Sequence, residues 1–193
     1  MRVIAGRAKG RRLKSPTGPG TRPVMDRVKT ALFDILMPVI EDATFLDLFA
    51  GTGSIGIEAL SRGAAHATFV ELDAAAFALV RENLRHTELE ADAETIRGDA
   101  FQFLTVAARV GRTFDIVYVA PPQYVGMAAR ALGQLDTAPV SAPGGLVIVQ
   151  IHPKERREIE AIALSTLELV DERTYGSTLL LFYEHRQAPN DHR

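Results

Sequence analysis

"LDLFAGTGSIG", Leu46 to Gly56, is the stretch on which the reading of the fold turns. Leu46, Leu48 and Phe49 close an apolar, strand-like run, and Ser54 and Ile55 open a helical one. Between them Gly51, Gly53 and Gly56 match G-x-G-x-x-G in the strand-then-helix setting that gives this spacing its meaning. Glycines at these points let the chain turn sharply and let a ligand approach main-chain atoms closely. A tight packing turn would use the same residues, so the next carboxylate matters. Glu71 lies 20 residues after Gly51, at the end of the next apolar run, where a carboxylate can hydrogen-bond both hydroxyls of a ribose.

Working outward, the pattern alternates. Strands are expected near 44–49, 66–71, 93–97, 114–119 and 145–151, and helices near 24–37, 54–62, 73–86, 99–109, 125–135 and 153–163. The near-continuous apolar strands suit a parallel sheet covered on both faces. Two further runs, 166–171 and 178–184, are joined by a short link containing Gly176, which demands antiparallel pairing. The expected fold is therefore a doubly wound α/β domain with a seven-stranded, mostly parallel sheet and an antiparallel last strand. A short basic hairpin precedes it, giving an arm over 1–23 and a main domain over 24–193. The loop-rich stretch Ser15 to Pro23 separates the two.

Charge is divided unevenly. Residues 1–30 hold nine Lys/Arg against one acid, a balance of +8, while the other 163 residues hold 13 basic and 23 acidic groups, a balance of −10. A basic end on an acidic body is the layout of a protein that meets a polyanion. A solubilising tail would be basic too, but this arm carries alternating apolar residues (Val3, Ala5, Ala8) and turn glycines (Gly6, Gly10). Arg7, Lys9, Arg11, Arg12, Lys14 and Arg27 are the candidate nucleic-acid contacts. Absence of Cys excludes disulfides and thiolate chemistry, and the five His show no metal-ligand spacing, so no metal is expected. The start lacks the apolar core of a signal peptide and no run is long enough to span a bilayer. A cytoplasmic monomer with no membrane association is expected.

The acids choose the cofactor. A pyrophosphate over the glycine loop would be repelled by Asp47, four residues before Gly51, and by Glu71, Asp73 and Asp99 at or just beyond strand ends. S-adenosylmethionine has no phosphate and carries an ammonium and a sulfonium, so it suits these surroundings better than NAD(P). Asp99 is placed to accept from the adenine amine, with Ala100 and Phe101 near the ring. It also stands where a helix N-cap is needed, and the two roles can coexist.

With Asp47 to Gly53, Glu71, Asp99 and the corner Ala120-Pro121-Pro122-Gln123-Tyr124 in this order, the chain resembles the Class I methyltransferases. More closely it resembles the RsmD family of 16S ribosomal RNA guanine-N2 methyltransferases. The resemblance is carried by Arg2-Val3-Ile4-Ala5-Gly6, by Arg22-Pro23-Val24-Met25-Asp26-Arg27-Val28-Lys29, by the glycine loop and by Glu58-Ala59-Leu60-Ser61-Arg62-Gly63-Ala64. It implies a Rossmann-like fold, S-adenosylmethionine as cofactor, and 16S rRNA or the small ribosomal subunit as partner. It further implies that Asp47, Gly51 and Gly53 hold the methionine part, with Phe49 and Leu72 beside the nucleoside. Arg22, Pro23, Asp26 and Arg27 would lie over the cofactor and the path of the incoming base, and the arm would grip phosphates. Ala120, Pro121, Pro122 and Tyr124 form the expected catalytic corner. There the chain departs from the family, whose corner opens with Asp or Asn; here that residue is Ala120. The alternative expectation is a cofactor- and RNA-binding module with weak or no catalysis because Ala120 lacks the acceptor.

Overall fold

The structure is a computed structural model, and it describes residues 1–15 and 26–186. Among them thirteen main elements follow in order: α1 (Asp26–Leu36), β1 (Thr44–Asp47), α2 (Ser54–Ser61), β2 (His66–Glu71), α3 (Ala74–Thr87), β3 (Ala93–Arg97), α4 (Ala100–Arg109), β4 (Phe114–Val119), α5 (Met127–Thr137), β5 (Ser141–Ile151), α6 (Arg156–Glu160), β6 (Leu167–Tyr175) and β7 (Thr178–His185). The seven strands form one sheet in the order β3-β2-β1-β4-β5-β7-β6. β1 through β5 pair in parallel, while β7 runs antiparallel to both β5 and β6. The expected fold class stands, reversed last strand included.

Both faces are covered, as the apolar strands require. Val28, Leu32, Phe33 and Leu36 of α1 join Ile57 and Leu60 of α2 and Val80 and Leu84 of α3 in one core beneath the sheet. Phe101 and Leu104 of α4, Leu132 and Leu135 of α5 and Ile159 of α6 build the other core. Three expected boundaries moved by more than two residues. β5 begins at Ser141, four residues before the expected start. The helix expected over 153–163 is a 3-10 turn (Pro153–Glu155) followed by one short helix, α6. β6 runs on to Tyr175, because Asp171 to Tyr175 are held by their ladder to β7 and not by an apolar face.

The N-terminal segment is a hairpin. Arg2 and Arg12 form an antiparallel bridge, with Val3 N donating to Arg11 O and Gly10 N to Val3 O. Val3, Ala8 and Leu13 are buried in the α1–α3 core, so the hairpin lies packed on the body. The Ser15–Pro23 loop falls almost wholly outside the described residues, as do Val24 and Met25.

Candidate active site at the carboxyl ends of the strands

Strand order reverses direction between β1 and β4, the switch point at which open α/β sheets bind ligands. Asp47 ends β1 between Phe69 of β2 and Tyr118 of β4. The ladder continues into the loop, with Leu48 N on Tyr118 O (3.0 Å) and Ala50 N on Val70 O (2.9 Å). The Asp47 carboxylate is buried and accepts from Gly56 N at 3.1 Å, bridging the glycine loop to the first turn of α2. Burial pushes its pKa up to about 7, against the lowering effect of the Gly56 N–H and with help from the nearby Glu71 charge. Its neighbour Tyr118, held far above the usual phenol range by burial and by Asp47, donates to Gln150 Oε1 at 2.6 Å and stays neutral.

Glu71 spans two loops. One oxygen accepts from Gly51 N at 2.7 Å and the other from Asp73 N at 2.8 Å. Gly51 has φ +56°, and a Cβ there would meet nothing within 4 Å, so its backbone borders open space. Gly56 serves packing instead: a Cβ would lie 2.3 Å from the Phe69 ring. Gly98 N donates to Glu71 O, which brings Asp99 beside the same edge. Asp99 caps α4 by accepting from Gln102 N at 2.9 Å through one oxygen, leaving the other without a hydrogen bond among the described residues. Leu72, just past β2, is 63 % exposed. Phe101 is buried, its ring against the partly buried Phe49 (6.1 Å, edge-on) and beneath the Arg130 guanidinium (3.7 Å). Gly51, Glu71, Leu72 and Asp99 border an open acidic shelf with one apolar lip, and the Asp47 carboxylate lies buried beneath its glycine loop. Such a donor set fits a cationic, phosphate-free nucleoside and opposes a pyrophosphate.

The second loop leaves β4, the strand next to β1. Ala120 is half-buried against the α1–α3 core, Pro121 is buried and Pro122 exposed. Tyr124 follows with φ +64°, a left-handed conformation that an aromatic residue adopts only when held there. What holds it is Glu155. This buried carboxylate accepts from Tyr124 N at 2.8 Å and from His152 N at 3.0 Å, and His152 Nδ1 accepts from Lys154 N. The His152 and Tyr124 rings lie 5.4 Å apart. Glu155 is thus the buried carboxylate of a capping box. The signal was present in His152-Pro153-Lys154-Glu155, a capping residue, a proline at the first helical position and a Glu at the third.

The hairpin lies against α2 and α3. Arg7 pairs with Asp92, Arg11 with Glu88 (3.0 Å) and Lys14 with Glu82. Lys9, Arg12 and Arg27 have no ion-pair partner among the described residues. Asp26 opens α1 and faces Arg2 at 3.6 Å, whereas Arg22 and Pro23 lie outside the described residues. The sequence reading missed what fastens the hairpin. Glu58, fully buried in α2, accepts from Ile4 N (2.9 Å) and Ala5 N (3.0 Å) and pairs with Lys29 (3.1 Å) and Arg62 (2.9 Å). Three hydrogen bonds, from Ile4 N, Ala5 N and Arg62 Nε, together with the Lys29 charge offset the desolvation of this buried carboxylate.

A reversed last strand on a doubly wound sheet, with an acidic glycine-loop shelf beside a Pro-Pro corner, defines the Rossmann-like methyltransferase class. Over residues 1–184 the chain matches the family described as "Conserved hypothetical protein 95", the RsmD family, and it belongs to that family. Ribosomal RNA small subunit methyltransferase D of Escherichia coli K12 is 40% identical over 150 residues, covering 78% of this chain and 74% of that protein. Its namesake in Haemophilus influenzae is 34% identical over 186 residues, covering 96% and 94%. The solved structure of a hypothetical protein from Thermus thermophilus superposes with a TM-score of 0.79 at 33% identity, covering 95% of this chain and 99% of that one. Among the described residues no helix is long and apolar enough to cross a membrane.

Proposed function

We propose that this chain methylates the exocyclic N2 amine of a guanine in 16S rRNA, with S-adenosylmethionine as methyl donor. The kinship with small-subunit rRNA methyltransferases supports methyl transfer to that RNA. The observation that carries the chemistry is the adjacency of β1 and β4, which sets the acidic shelf beside the Pro121-Pro122 corner. The cofactor supplies an electrophilic methyl on a sulfonium. Asp47 is the counter-charge for the ammonium, Glu71 accepts from the ribose and Asp99 from the adenine amine, with Leu72 and Phe49 at the nucleoside. Lys9, Arg12 and Arg27 contact phosphates, joined by Arg7, Arg11 and Lys14, whose solvent-exposed ion pairs are weak enough to be exchanged.

A guanine amine is a poor nucleophile because its lone pair is delocalised into the ring. The corner's task is to accept from the amine N–H groups so that nitrogen can pyramidalise and attack in line. Main-chain carbonyls of Ala120 and Pro121 are the acceptors, fixed by two prolines whose φ is locked, and Tyr124 stacks on the base. As the N–C bond forms the C–S bond breaks, sulfur keeps the bonding pair and the amine proton leaves to solvent. Incubation with methyl-labelled cofactor and small subunits lacking the modification is expected to label guanine N2. Label at any other position, or none, overturns the proposal.

A further inference from the structure

Asn83 of α3 is fully buried, and its amide ties together two segments with separate duties. Nδ2 donates to Thr52 O in the glycine loop at 2.9 Å and to Lys14 O at the end of the hairpin at 3.1 Å, while Oδ1 accepts from Lys14 N at 2.8 Å. Both amide donors are used and both partners are main-chain, so only an uncharged side chain with two N–H groups at this length satisfies the site. The hairpin is bolted a second time at α2, the helix launched from the same glycine loop. There Ser61 Oγ donates to Ala5 O and accepts from Ala8 N, and Arg7 N donates to Ser61 O. Gly6 allows this close seat, since a Cβ would fall 1.7 Å from Ser61 O. The hairpin is therefore joined to the cofactor loop on both sides: to Thr52 through Asn83, and to α2 through Ser61 and Glu58.

We infer that Asn83 is a positioning residue that couples the hairpin to the cofactor loop, so that RNA seated on the hairpin and cofactor on the shelf strengthen each other's binding. This inference rests on the function proposed above. A residue that only filled space would change melting temperature and leave the two affinities independent. A coupling residue carries a factor that is the same in both directions, because linkage is reciprocal.

The test is calorimetric titration of S-adenosylhomocysteine, which cannot transfer a methyl, with and without saturating 16S rRNA transcript. In the natural protein the transcript is expected to tighten binding about tenfold, within the range usual for coupled sites. Asn83→Ala is expected to reduce that factor to under about twofold while the protein still melts cooperatively. Asn83→Ser, uncharged and with a single hydroxyl donor in place of the two amide N–H groups, is expected to do the same and decides the matter if the alanine variant does not fold. A folded variant with the factor intact overturns the inference, as does a natural protein in which the transcript leaves S-adenosylhomocysteine affinity unchanged. In those cases labelled guanine N2 would still uphold the methyl-transfer reading, whereas a natural protein that binds no S-adenosylhomocysteine defeats that reading itself.

Discussion

Two loops leave adjacent strands at the centre of this sheet, and they are held by opposite means. The loop after β1 is fixed by side chains acting on its backbone: Asp47 on Gly56 N, Glu71 on Gly51 N and Asn83 on Thr52 O. The corner after β4 is fixed by its own covalent stiffness, two prolines, and by one carboxylate at its far end, Glu155 on Tyr124 N. In the proposed function the shelf would offer side chains to a ligand, and the corner main-chain carbonyls plus one ring. Substitutions should consequently act on cofactor affinity at the shelf, and at the corner on turnover or on the hold of the base but not on cofactor affinity.

The sharpest way to break that contrast is to give the corner a side-chain acceptor. Ala120→Asp restores a carboxylate where the family has Asp or Asn. Losing one oriented electrostatic partner typically costs about 2.7–4 kcal/mol in the transition state, so the gain in single-turnover rate should be about 100- to 1000-fold. The KM for the cofactor should barely move. An unchanged rate would mean that the carbonyls of Ala120 and Pro121 already provide all the polarisation the amine needs.

On the shelf, Asp47 separates binding from stability. Its folded pKa of about 7 lies above the ordinary value of an aspartate. In the absence of ligand it therefore contributes stability that is fully present below about pH 4 and lost as pH rises through about 7. Asp47→Asn removes that loss, so the variant's advantage in melting temperature should grow between pH 5 and pH 8. Binding of a cation runs the other way, because it favours the ionised carboxylate. The natural protein should bind S-adenosylmethionine more tightly as pH rises from about 6 to about 7.5, across the Asp47 titration. The variant should be flat over this range and weaker by about 10- to 100-fold at its upper end, the usual worth of a charged hydrogen bond. Melting curves and titrations on the same samples check both signs.

The same contrast explains what could be read in advance. β2, β3 and β4 end where the apolar runs end, and the glycine spacing fell at the β1–α2 turn, because these signals are local to the chain. The acids of the shelf were legible for the same reason, each standing at a strand end. The long-range contacts of Glu58, Asn83 and Glu155 were not, although the local capping box of Glu155 was. Their partners are backbone atoms 54, 69 and 31 residues away, brought together only by the fold, and a backbone N–H leaves no mark on the sequence. The hairpin's cations could be counted, but their pairing with Glu82, Glu88 and Asp92 on the α3 side could not.

The smallest effect should come from Glu155→Gln, and it tests the contrast most finely. The substitution keeps size and one acceptor oxygen, so one of the two backbone N–H groups at Tyr124 and His152 remains satisfied and the other meets an NH2 group. A lost hydrogen bond to a charged acceptor is worth about 1.5 kcal/mol at the lower end, or roughly tenfold. Tyr124 is left-handed at φ +64° only against its intrinsic preference, so the loop should relax towards negative φ and carry the ring away from His152. Because no shelf residue touches Glu155, the deficit should appear as about a tenfold fall in kcat with unchanged cofactor affinity. Tyr124→Asn, which tolerates the left-handed region but has no ring to stack, should lose affinity for the RNA base instead. If Glu155→Gln weakened cofactor binding as well, the corner and the shelf would be one mechanical unit, and the division drawn between their modes of support would fail.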